Sequence, residues 1–367
     1  MPIPTVTPGC QFASDNTAPM SPSAWETLVQ ANRDYQSSYG DDLWTIRACD
    51  LIREIFEYQA EVFFVFNGTA ANSLALAAMC QSYHAILCHE IAHVETDECG
   101  APEFFSNGTK LLLLTGDAGK LSPAGITHAV ERRRDIHYPK PRVVSVTQAT
   151  ELSTVYSIDE LAAISDTCRR HGLRLHMDGA RFANAVAALD VPPRKITWEL
   201  GVDVLCLGGT KNGMGVGDAV VFFNKSLAEE FAYRCKQAGQ LASKMRYLTA
   251  PWVGLLDNGS WLNNAGRANA AAARLEEGFR DIPAIEVLGH RQANAVFARL
   301  PPALAAALRA KGWKFYDFIG SGGCRFMCSW AVTDADIDAL LADTRSAAGM
   351  AERSPSSSRL PSPTAHT

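Results

Sequence analysis

The sequence predicts an α/β protein with a mainly parallel β-sheet, followed by a smaller α+β domain. Short β-rich runs alternate with helical stretches up to about residue 255, which is the pattern of strand–helix–strand units. Several of these runs are apolar at consecutive positions, as expected when helices cover both faces of a sheet. After residue 255, alanine-rich helices and short strands replace this alternation. A length of 367 residues is enough for about two domains.

The large domain is predicted to span residues 11–255. Its first strand leads through Asn67-Gly68-Thr69 into a helix that ends near Met79, and a helix over 158–171 separates two later strands. Helices between successive strands give the parallel connections of an α/β sheet. The predicted strands are residues 61–66, 85–88, 110–114, 143–147, 173–177, 202–207 and 219–223.

The small domain is predicted to span residues 256–350. Residues 1–10 contain three prolines, and the tail from Ser354 is rich in serine and proline, so we expect residues 1–10 and 351–367 to be disordered. The helices expected in the small domain are residues 265–279, 303–310 and 334–344, and the strands are residues 293–300 and 324–330.

The net charge and the cysteine spacing indicate which binding partners and which cellular compartment to expect. The net charge of −5 gives no sign of a nucleic-acid footprint or of an anionic membrane partner. The ten cysteines are scattered without a C-x-x-C pair, which is typical of reduced cytosolic thiols and not of a zinc site. No signal peptide is recognisable, and the apolar runs are too short to cross a bilayer. We therefore expect a cytoplasmic protein without a bound metal.

The residues that follow each strand are the candidates for chemistry, because ligands of open α/β sheets bind beyond the carboxyl ends of the strands. Asn67-Gly68-Thr69 opens a helix, where free backbone N–H groups favour a phosphate. A tight turn with a helix N-cap is the alternative explanation. His89 and His93 follow the next strand, and either imidazole can stack on an aromatic ring or be a structural residue of the core.

Asp178 and Lys211 point to one cofactor. Asp178 directly follows a buried strand, where a carboxylate needs a cationic partner. It can hold the protonated nitrogen of a pyridine ring, and such a ring makes pyridoxal phosphate (PLP) an electron sink. Lys211 lies among glycines at a strand end, with room for a planar cofactor, and a desolvated amine forms an imine with an aldehyde. A helix N-cap and a solvated lysine are the respective alternatives.

Together these residues resemble those of fold-type I PLP enzymes. The resemblance is carried by Asp-Gly-Ala-Arg at 178–181, the lysine about 30 residues later, Asn-Gly-Thr at 67–69 and the stretch from His93 to Glu98. Within that group, the sequence is similar to the threonine aldolase and β-eliminating lyase family, above all to bacterial low-specificity L-threonine aldolases with Gly-Gly-Thr-Lys-Asn-Gly. The resemblance covers roughly residues 11–345 and implies an aspartate aminotransferase-like, PLP-binding large domain.

The resemblance implies how the cofactor is held. Lys211 forms the Schiff base, Asp178 binds the pyridine nitrogen, His93 stacks on the ring, and Gly68 and Thr69 bind the phosphate. Relatives are tetramers whose active sites are shared between subunits, so we expect a homotetramer. The further cofactor-binding positions are Thr210 and Arg181, and those expected from a neighbouring subunit are Lys236, Gln240 and Arg246.

The resemblance also implies a substrate site. Ser14, Arg181 and Arg325 match positions that relatives use near the cofactor and for the α-carboxylate. The sequence departs from many relatives in two places. Thr-Lys-Asn at 210–212 stands where they have Ser-Lys-Gly, and Thr-Gln-Ala-Thr at 147–150 where they have Glu-Asn-Thr-His. The absence of a histidine at Thr150 removes one contact to the substrate hydroxyl and bears on substrate preference.

The reaction implied by the resemblance is cleavage of the Cα–Cβ bond of L-threonine, L-allo-threonine or phenylserine-like substrates to glycine and an aldehyde. The base that takes the hydroxyl proton is expected to be His137, with His93 and a water held by Glu98 as alternatives. A β-eliminating lyase or an aminotransferase would share Lys211 and Asp178 but release a keto acid. A serine hydroxymethyltransferase needs a folate site, of which the sequence shows no sign, and a catalytically idle scaffold is the non-enzymatic alternative.

Overall fold

The computed structural model describes residues 11–318 and 323–353. This part of the chain forms two β-sheets, one of seven strands and one of four. The strands of the large sheet are β1 (Glu61–Val65), β2 (His84–His89), β3 (Lys110–Leu114), β4 (Lys140–Thr147), β5 (Arg174–Gly179), β6 (Val204–Leu207) and β7 (Asp218–Phe222). The strands of the small sheet are β8 (Glu286–Leu288), β9 (Ala295–Arg299), β10 (Tyr316–Asp317) and β11 (Cys324–Met327).

The large sheet confirms the predicted α/β fold with mainly parallel strands. Its strand order is β1-β7-β6-β5-β4-β2-β3. The pairs among β2 to β6 are parallel, whereas β7 runs antiparallel to both of its neighbours, β1 and β6. Within this sheet β7 is thus the one reversed strand, and its first residue lies at the edge where the other strands end.

Local sequence signals explain where helices begin and end. The helix Ile158–His171 has the predicted bounds, because Ser157 and Glu160 form a reciprocal capping box and Gly172 ends the helix at a φ of 64°. The helices of the described residues are α1 (Pro22–Ala31), α2 (Leu43–Phe56), α3 (Gly68–Met79), α4 (His93–Thr96), α5 (Ala101–Phe105), α6 (Pro123–Glu131), α7 (Ile158–His171), α8 (Phe182–Leu189), α9 (Phe231–Gln237), α10 (Arg246–Leu256), α11 (Ser260–Arg280), α12 (Pro302–Ala310) and α13 (Asp334–Arg353).

Both faces of the large sheet are buried, which explains its consecutive apolar residues. In β6, Leu205 and Leu207 join a hydrophobic cluster with α2, α7, α8 and α10. The alternate residues Val204 and Cys206 join a second cluster with α3 and α9. Successive side chains of a strand point to opposite faces, so helices must cover both sides of the sheet. None of the described helices is both long and apolar enough to cross a membrane.

The small sheet has the order β10-β11-β9-β8 with antiparallel pairs, and α11, α12 and α13 pack against it. The strands β8 and β10 were not predicted, because runs of two or three residues show no usable periodicity. Phe12 packs into the core of this sheet, although the sequence assigned residues from 11 onward to the large domain. The domain boundary at 255 stays a prediction.

The last helix is longer than predicted. It continues past residue 344 to Arg353, so residues 351–353, assigned above to a disordered tail, are helical. Residues 1–10 and 354–367, for which disorder was predicted, lie outside the described part of the chain.

Candidate active site

A cavity of about 290 Å³ opens at the carboxyl edge of the large sheet. It is bordered by residues that follow β1, β2, β5 and β6, as open α/β sheets lead one to expect. The sequence-predicted residues that line it are Gly68, Thr69, His93, Asp178, Thr210 and Lys211. The polar lining residues that the sequence did not single out are Asn16, Asn72, Cys206 and Asp218.

The start of α3 provides an anion site within this cavity. Asn67 is the N-cap, and its side-chain oxygen accepts a hydrogen bond from the Ala70 amide at 2.9 Å. The amides of Gly68 and Thr69 belong to the first helical turn, whose N–H groups have no carbonyl partner within a helix. Both residues line the cavity. The cap and the anion site therefore coexist at this turn, and neither explanation excludes the other.

Asp178 is buried at the end of β5 and does not cap a helix. The next helix, α8, begins at Phe182, and Arg181 is its N-cap residue. Asp178 Oδ1 accepts a hydrogen bond from the Ala180 amide at 2.9 Å, and Oδ2 accepts one from Asn72 Nδ2 at 3.0 Å. An ionised carboxylate has about four acceptor positions. Two donors therefore leave capacity for a protonated ring nitrogen.

Lys211 lines the cavity, and within the described residues its side chain has no hydrogen bond or ion pair. The glycines before it, however, do not leave open space. A Cβ on Gly208 would lie 2.4 Å from the carbonyl oxygen of Ala180, and one on Gly209 would lie 2.5 Å from Met214 Sδ. The structure thus corrects the explanation given above: these glycines allow the protein to pack closely against itself, and the cavity lies beside them.

His93, Glu98, Asn72 and Asp178 form one hydrogen-bonded chain. His93 Nδ1 lies 2.9 Å from Glu98 Oε1, and Asn72 Nδ2 donates to the same oxygen at 2.8 Å and to Asp178 at 3.0 Å. The hydrogen bond to Glu98 raises the pKa of His93, although burial opposes this. Burial raises the pKa of Glu98, and the bonds from His93 and Asn72 oppose it. The pair therefore retains a proton to higher pH than a free imidazole would.

Arg181 forms a buried ion pair with Asp15. Its Nε and Nη2 donate to the two oxygens of Asp15 at 2.8 and 3.0 Å. Burial opposes ionisation of Asp15, yet the Arg181 charge holds the pKa of this carboxyl below its ordinary value. Ser14 Oγ accepts a hydrogen bond from the Asn16 amide at 3.2 Å, and Asn16 is the member of this segment that lines the cavity. Arg181 and Ser14 thus shape the segment that borders the site.

Arg325 is not among the described residues that line the cavity, but it keeps a donor available. It lies on β11, with its guanidinium carbon 5.5 Å from the ring centroid of Tyr316 and 5.8 Å from that of Phe318. Its Nε is buried and has no hydrogen-bond partner among residues 11–318 and 323–353. Burial, together with the nearby charge of Arg181, lowers the pKa of Arg325. A half-buried guanidinium with a buried Nε that has no partner among the described residues fits a carboxylate ligand.

The structure does not bring His137 to the cavity. His137 is exposed and lies just before β4, at the amino edge of the sheet, where its backbone amide donates to Asp135 Oδ1 at 3.1 Å. The cavity lies at the opposite, carboxyl edge. The prediction that His137 serves as the base in the site of its own chain is therefore wrong, because residues before and after a parallel strand lie at opposite edges.

The residues expected from a neighbouring subunit also lie outside the cavity of their own chain. Lys236 Nζ lies 4.8 Å from the ring centroid of Tyr39, and Arg246 begins α10 with a buried, unpartnered Nε. Gln240 differs, because its Oε1 accepts the Phe66 amide at 3.0 Å and so supports the strand end that leads into the anion site. A contribution of Lys236 and Arg246 to another subunit stays a prediction.

Asn72 and Asp218 line the cavity but were not predicted from the sequence, and only Asn72 could have been found from a sequence pattern. Asn72 lies four residues after Gly68, so helical periodicity places it on the same side of α3. Asp218 directly precedes the predicted strand 219–223, and the rule that ligands follow strands excluded it. Asp218 reaches the cavity because β7 is reversed.

The cavity fits the PLP that the resemblance implies. A phosphate-bearing pyridine aldehyde requires an amine, an acceptor for its ring nitrogen and an anion site. Lys211 offers an ammonium group without a partner in the described chain, Asp178 offers a buried carboxylate, and the start of α3 offers free amides. We therefore consider these residues suited to hold PLP.

Comparison with known proteins agrees with this description. A family model described as beta-eliminating lyase matches residues 11–301. A low specificity L-threonine aldolase of Pseudomonas aeruginosa is 61% identical, over 89% of this chain and 94% of its own length. Another, from Pseudomonas sp. strain NCIMB 10558, is 59% identical, over 91% and 97%. The solved threonine aldolase of Leishmania major is 27% identical with a TM-score of 0.87, covering 92% of this chain and 99% of that one. The chain belongs to the PLP-dependent threonine aldolase and beta-eliminating lyase family.

Proposed function

We propose that this chain is an L-threonine aldolase. It cleaves L-threonine, L-allo-threonine and related L-β-hydroxy-α-amino acids, such as phenylserine, to glycine and an aldehyde. One observation carries this proposal: Lys211, Asp178 and the start of α3 border a single cavity. The identity of 59% and 61% with the two Pseudomonas aldolases supports the substrate class.

The residues divide the work of holding cofactor and substrate. When bound, PLP supplies an attachment point for the substrate amino group and an electron sink for the broken Cα–Cβ bond. Lys211 would hold the cofactor through its amine, and Asp178 would accept the hydrogen bond of the pyridine nitrogen. Arg325 binds the α-carboxylate through charge-assisted hydrogen bonds. This clamp sets the rotation about the substrate Cα and so selects the bond that breaks.

His93 takes the proton of the substrate hydroxyl at Nε2. Its Nδ1 is held by Glu98 Oε1 at 2.9 Å, which fixes the ring and leaves Nε2 as the available nitrogen. Glu98 Oε2 is buried without a partner, so the carboxylate retains an acceptor for a water at the same place. His137, the first candidate from the sequence, is replaced by His93 because it lies at the opposite edge of the sheet.

The pH dependence of kcat/KM tests this base. His93 accepts a proton only when neutral, and the hydrogen bond to Glu98 raises its pKa, so the rising limb should lie at higher pH than for an ordinary imidazole. Glu98→Gln removes the charge of the group that raises this pKa while keeping an acceptor for Asn72. We expect the rising limb of the pH profile to move to lower pH, because the hydrogen bond to the Glu98 carboxylate is the largest cause of the raised pKa of His93. Initial rates of aldehyde formation across pH provide the measurement.

His137→Ala is the comparison variant for this experiment. The rising limb of its pH profile and its rate should match those of the unmodified enzyme. The reason is that the His137 side chain is exposed and far from the carboxyl edge of the sheet. The base would instead be His137 if Glu98→Gln left the rising limb of the pH profile unchanged and His137→Ala caused a large loss of activity.

Stereochemistry tests the proposed substrate class. Lys211 would lie on one face of the cofactor and Arg325 would bind the α-carboxylate, so only one enantiomer could direct Cβ to the base with both contacts kept. The resemblance to L-threonine aldolases makes this the L series. A D isomer leaves a buried charge unpaired, at about 2–5 kcal/mol. Exchange of hydrogen and methyl at Cβ costs only about 1–3 kcal/mol. We expect L-threonine and L-allo-threonine to react within about two orders of magnitude of each other, and the D isomers not at all.

The assay uses the four threonine isomers and phenylserine, with aldehyde and keto acid measured in parallel. Aldehyde with glycine supports the aldolase. Release of a keto acid instead would identify a β-eliminating lyase or an aminotransferase. Comparable rates on D-threonine would overturn the assignment to an L-specific aldolase, and absence of any product from PLP-loaded protein would indicate an idle scaffold.

A homotetramer with shared active sites is proposed for the assembly. The surface of α1 and α2 exposes large apolar side chains: Trp25, Val29, Leu43 and Ile46. Tyr35 is fully exposed in the connection between these helices. We propose that these exposed apolar side chains contribute to the interface between subunits. Light scattering should give the mass of four chains, and an Arg246→Ala variant should lose cofactor affinity if Arg246 serves a neighbouring site.

We also propose that the protein acts in the cytoplasm. The nine cysteines of the described residues are free thiols, as expected in a reducing compartment. Fractionation of cells that express the chain provides the test.

A further inference from the structure

Asp218 is a buried carboxylate that faces the anion site. It is the first residue of β7, and the reversal of that strand brings it to the carboxyl edge, opposite Val65 of β1. The residue is only 7% exposed and lines the cavity. Its Oδ2 lies 3.4 Å from the point that a Cβ on Gly68 would occupy. One oxygen of this carboxyl group thus lies beside the first residue of α3.

The other oxygen holds the side chain in this position. Asp218 Oδ1 accepts hydrogen bonds from the Gly209 amide at 2.8 Å and from the Thr210 amide at 3.2 Å. These two residues directly precede Lys211. Asp218 therefore positions the loop that carries the lysine, and it cannot turn away from the start of α3 without losing both bonds.

The charges around Asp218 do not neutralise it fully. Burial raises the pKa of Asp218, and the nearby Asp178 carboxylate raises it further. The hydrogen bonds from the two amides and the charge of Lys211 lower it. The net result is a raised pKa. Cys206 also lies near enough to feel the charge, and its thiol stays protonated because burial raises its pKa well above 9.0. The start of α3 and the end of β1 present amides and apolar groups but no ionisable side chain.

A phosphate on the amides of Gly68 and Thr69 would meet Asp218 Oδ2. Two negative groups this close together, one of them a buried carboxylate, repel each other. A protonated carboxyl group, in contrast, donates a hydrogen bond to a phosphate oxygen. We infer that Asp218 takes up one proton from solvent when the cofactor phosphate binds and then donates from Oδ2 to that phosphate. The inference rests on the proposed PLP site, with the phosphate at the start of α3.

Binding of pyridoxine 5′-phosphate to the cofactor-free protein tests this inference. This compound carries the phosphate and the ring but no aldehyde, so Lys211 chemistry does not contribute. Asp218→Asn is the matched variant: Oδ1 still accepts from Gly209 and Thr210, which orients the amide NH₂ toward the phosphate without titrating. Proton uptake by the ring and by the phosphate itself is common to both proteins and cancels in the comparison.

At pH values above the pKa of Asp218, the dissociation constant of the unmodified protein should rise about tenfold per pH unit more steeply than that of the variant. Infrared difference spectra of the unmodified protein should also show the carbonyl stretch of a newly protonated carboxylic acid on binding, and this measurement remains decisive if Asp218→Asn does not fold.

Parallel pH dependences, or no such band, would overturn the inference while leaving the cofactor site intact. An absence of binding at every pH would overturn the site itself and the inference with it.

Discussion

Lys211→Ala is expected to reduce turnover of L-threonine by at least about three orders of magnitude. Among the described residues that line the cavity, Lys211 is the only lysine, so no other amine can hold the cofactor there. The variant should still bind PLP noncovalently through Asp178 and the start of α3. Aldehyde release and borohydride-stable labelling of the protein provide the two measurements.

Lys225→Ala is the control for this experiment. Lys225 is exposed and pairs only loosely with Glu61, at 3.7 Å, so its loss should change neither rate nor labelling. Near-normal activity of Lys211→Ala, with labelling retained, would refute the assignment of Lys211.

Asp178→Ala is expected to give a folded protein with weak cofactor binding and very low activity. The lost charge-assisted bond to the ring nitrogen is worth about 1.5–3 kcal/mol, or roughly 10- to 150-fold in the PLP dissociation constant. Activity should fall further, because an unprotonated ring is a poor electron sink. Asn72 keeps its bond to Glu98, but the Ala180 amide loses its acceptor, at a cost of about 1–3 kcal/mol in stability. Equilibrium PLP titration, steady-state rates and thermal unfolding measure these effects.

Asp178→Asn separates the effect of the negative charge at residue 178 from the effect of the side-chain shape. The amide has the volume of the carboxylate and can still accept from the Ala180 amide, so the melting temperature should change less than in Asp178→Ala. Cofactor affinity and rate should nevertheless fall in both variants. If Asp178→Asn retained normal activity, the charge at residue 178 would not be needed, and the pyridine-nitrogen role would be lost with it.

The sequence alone determined the residues that follow parallel strands. Gly68 and Lys211 come after a strand and Asp178 lies at the end of one, and parallel strands present their carboxyl ends at one edge. Strand spacing and apolar runs are local properties, so the α/β class and these three residues could be predicted without knowing which strands are neighbours. The same rule shows why His137 could not belong: it precedes its strand, and only the resemblance suggested it.

Only the tertiary structure decided the contacts that depend on strand direction and on distant segments. The direction of β7 places Asp218 in the cavity, and no local pattern distinguishes a reversed strand from a parallel one. The bonds from Arg181 to Asp15 and from Asn72 to Asp178 join residues 166 and 106 positions apart. Such pairings arise from packing of the whole chain, whereas periodicity in the sequence reports only on neighbours within a strand or a helix.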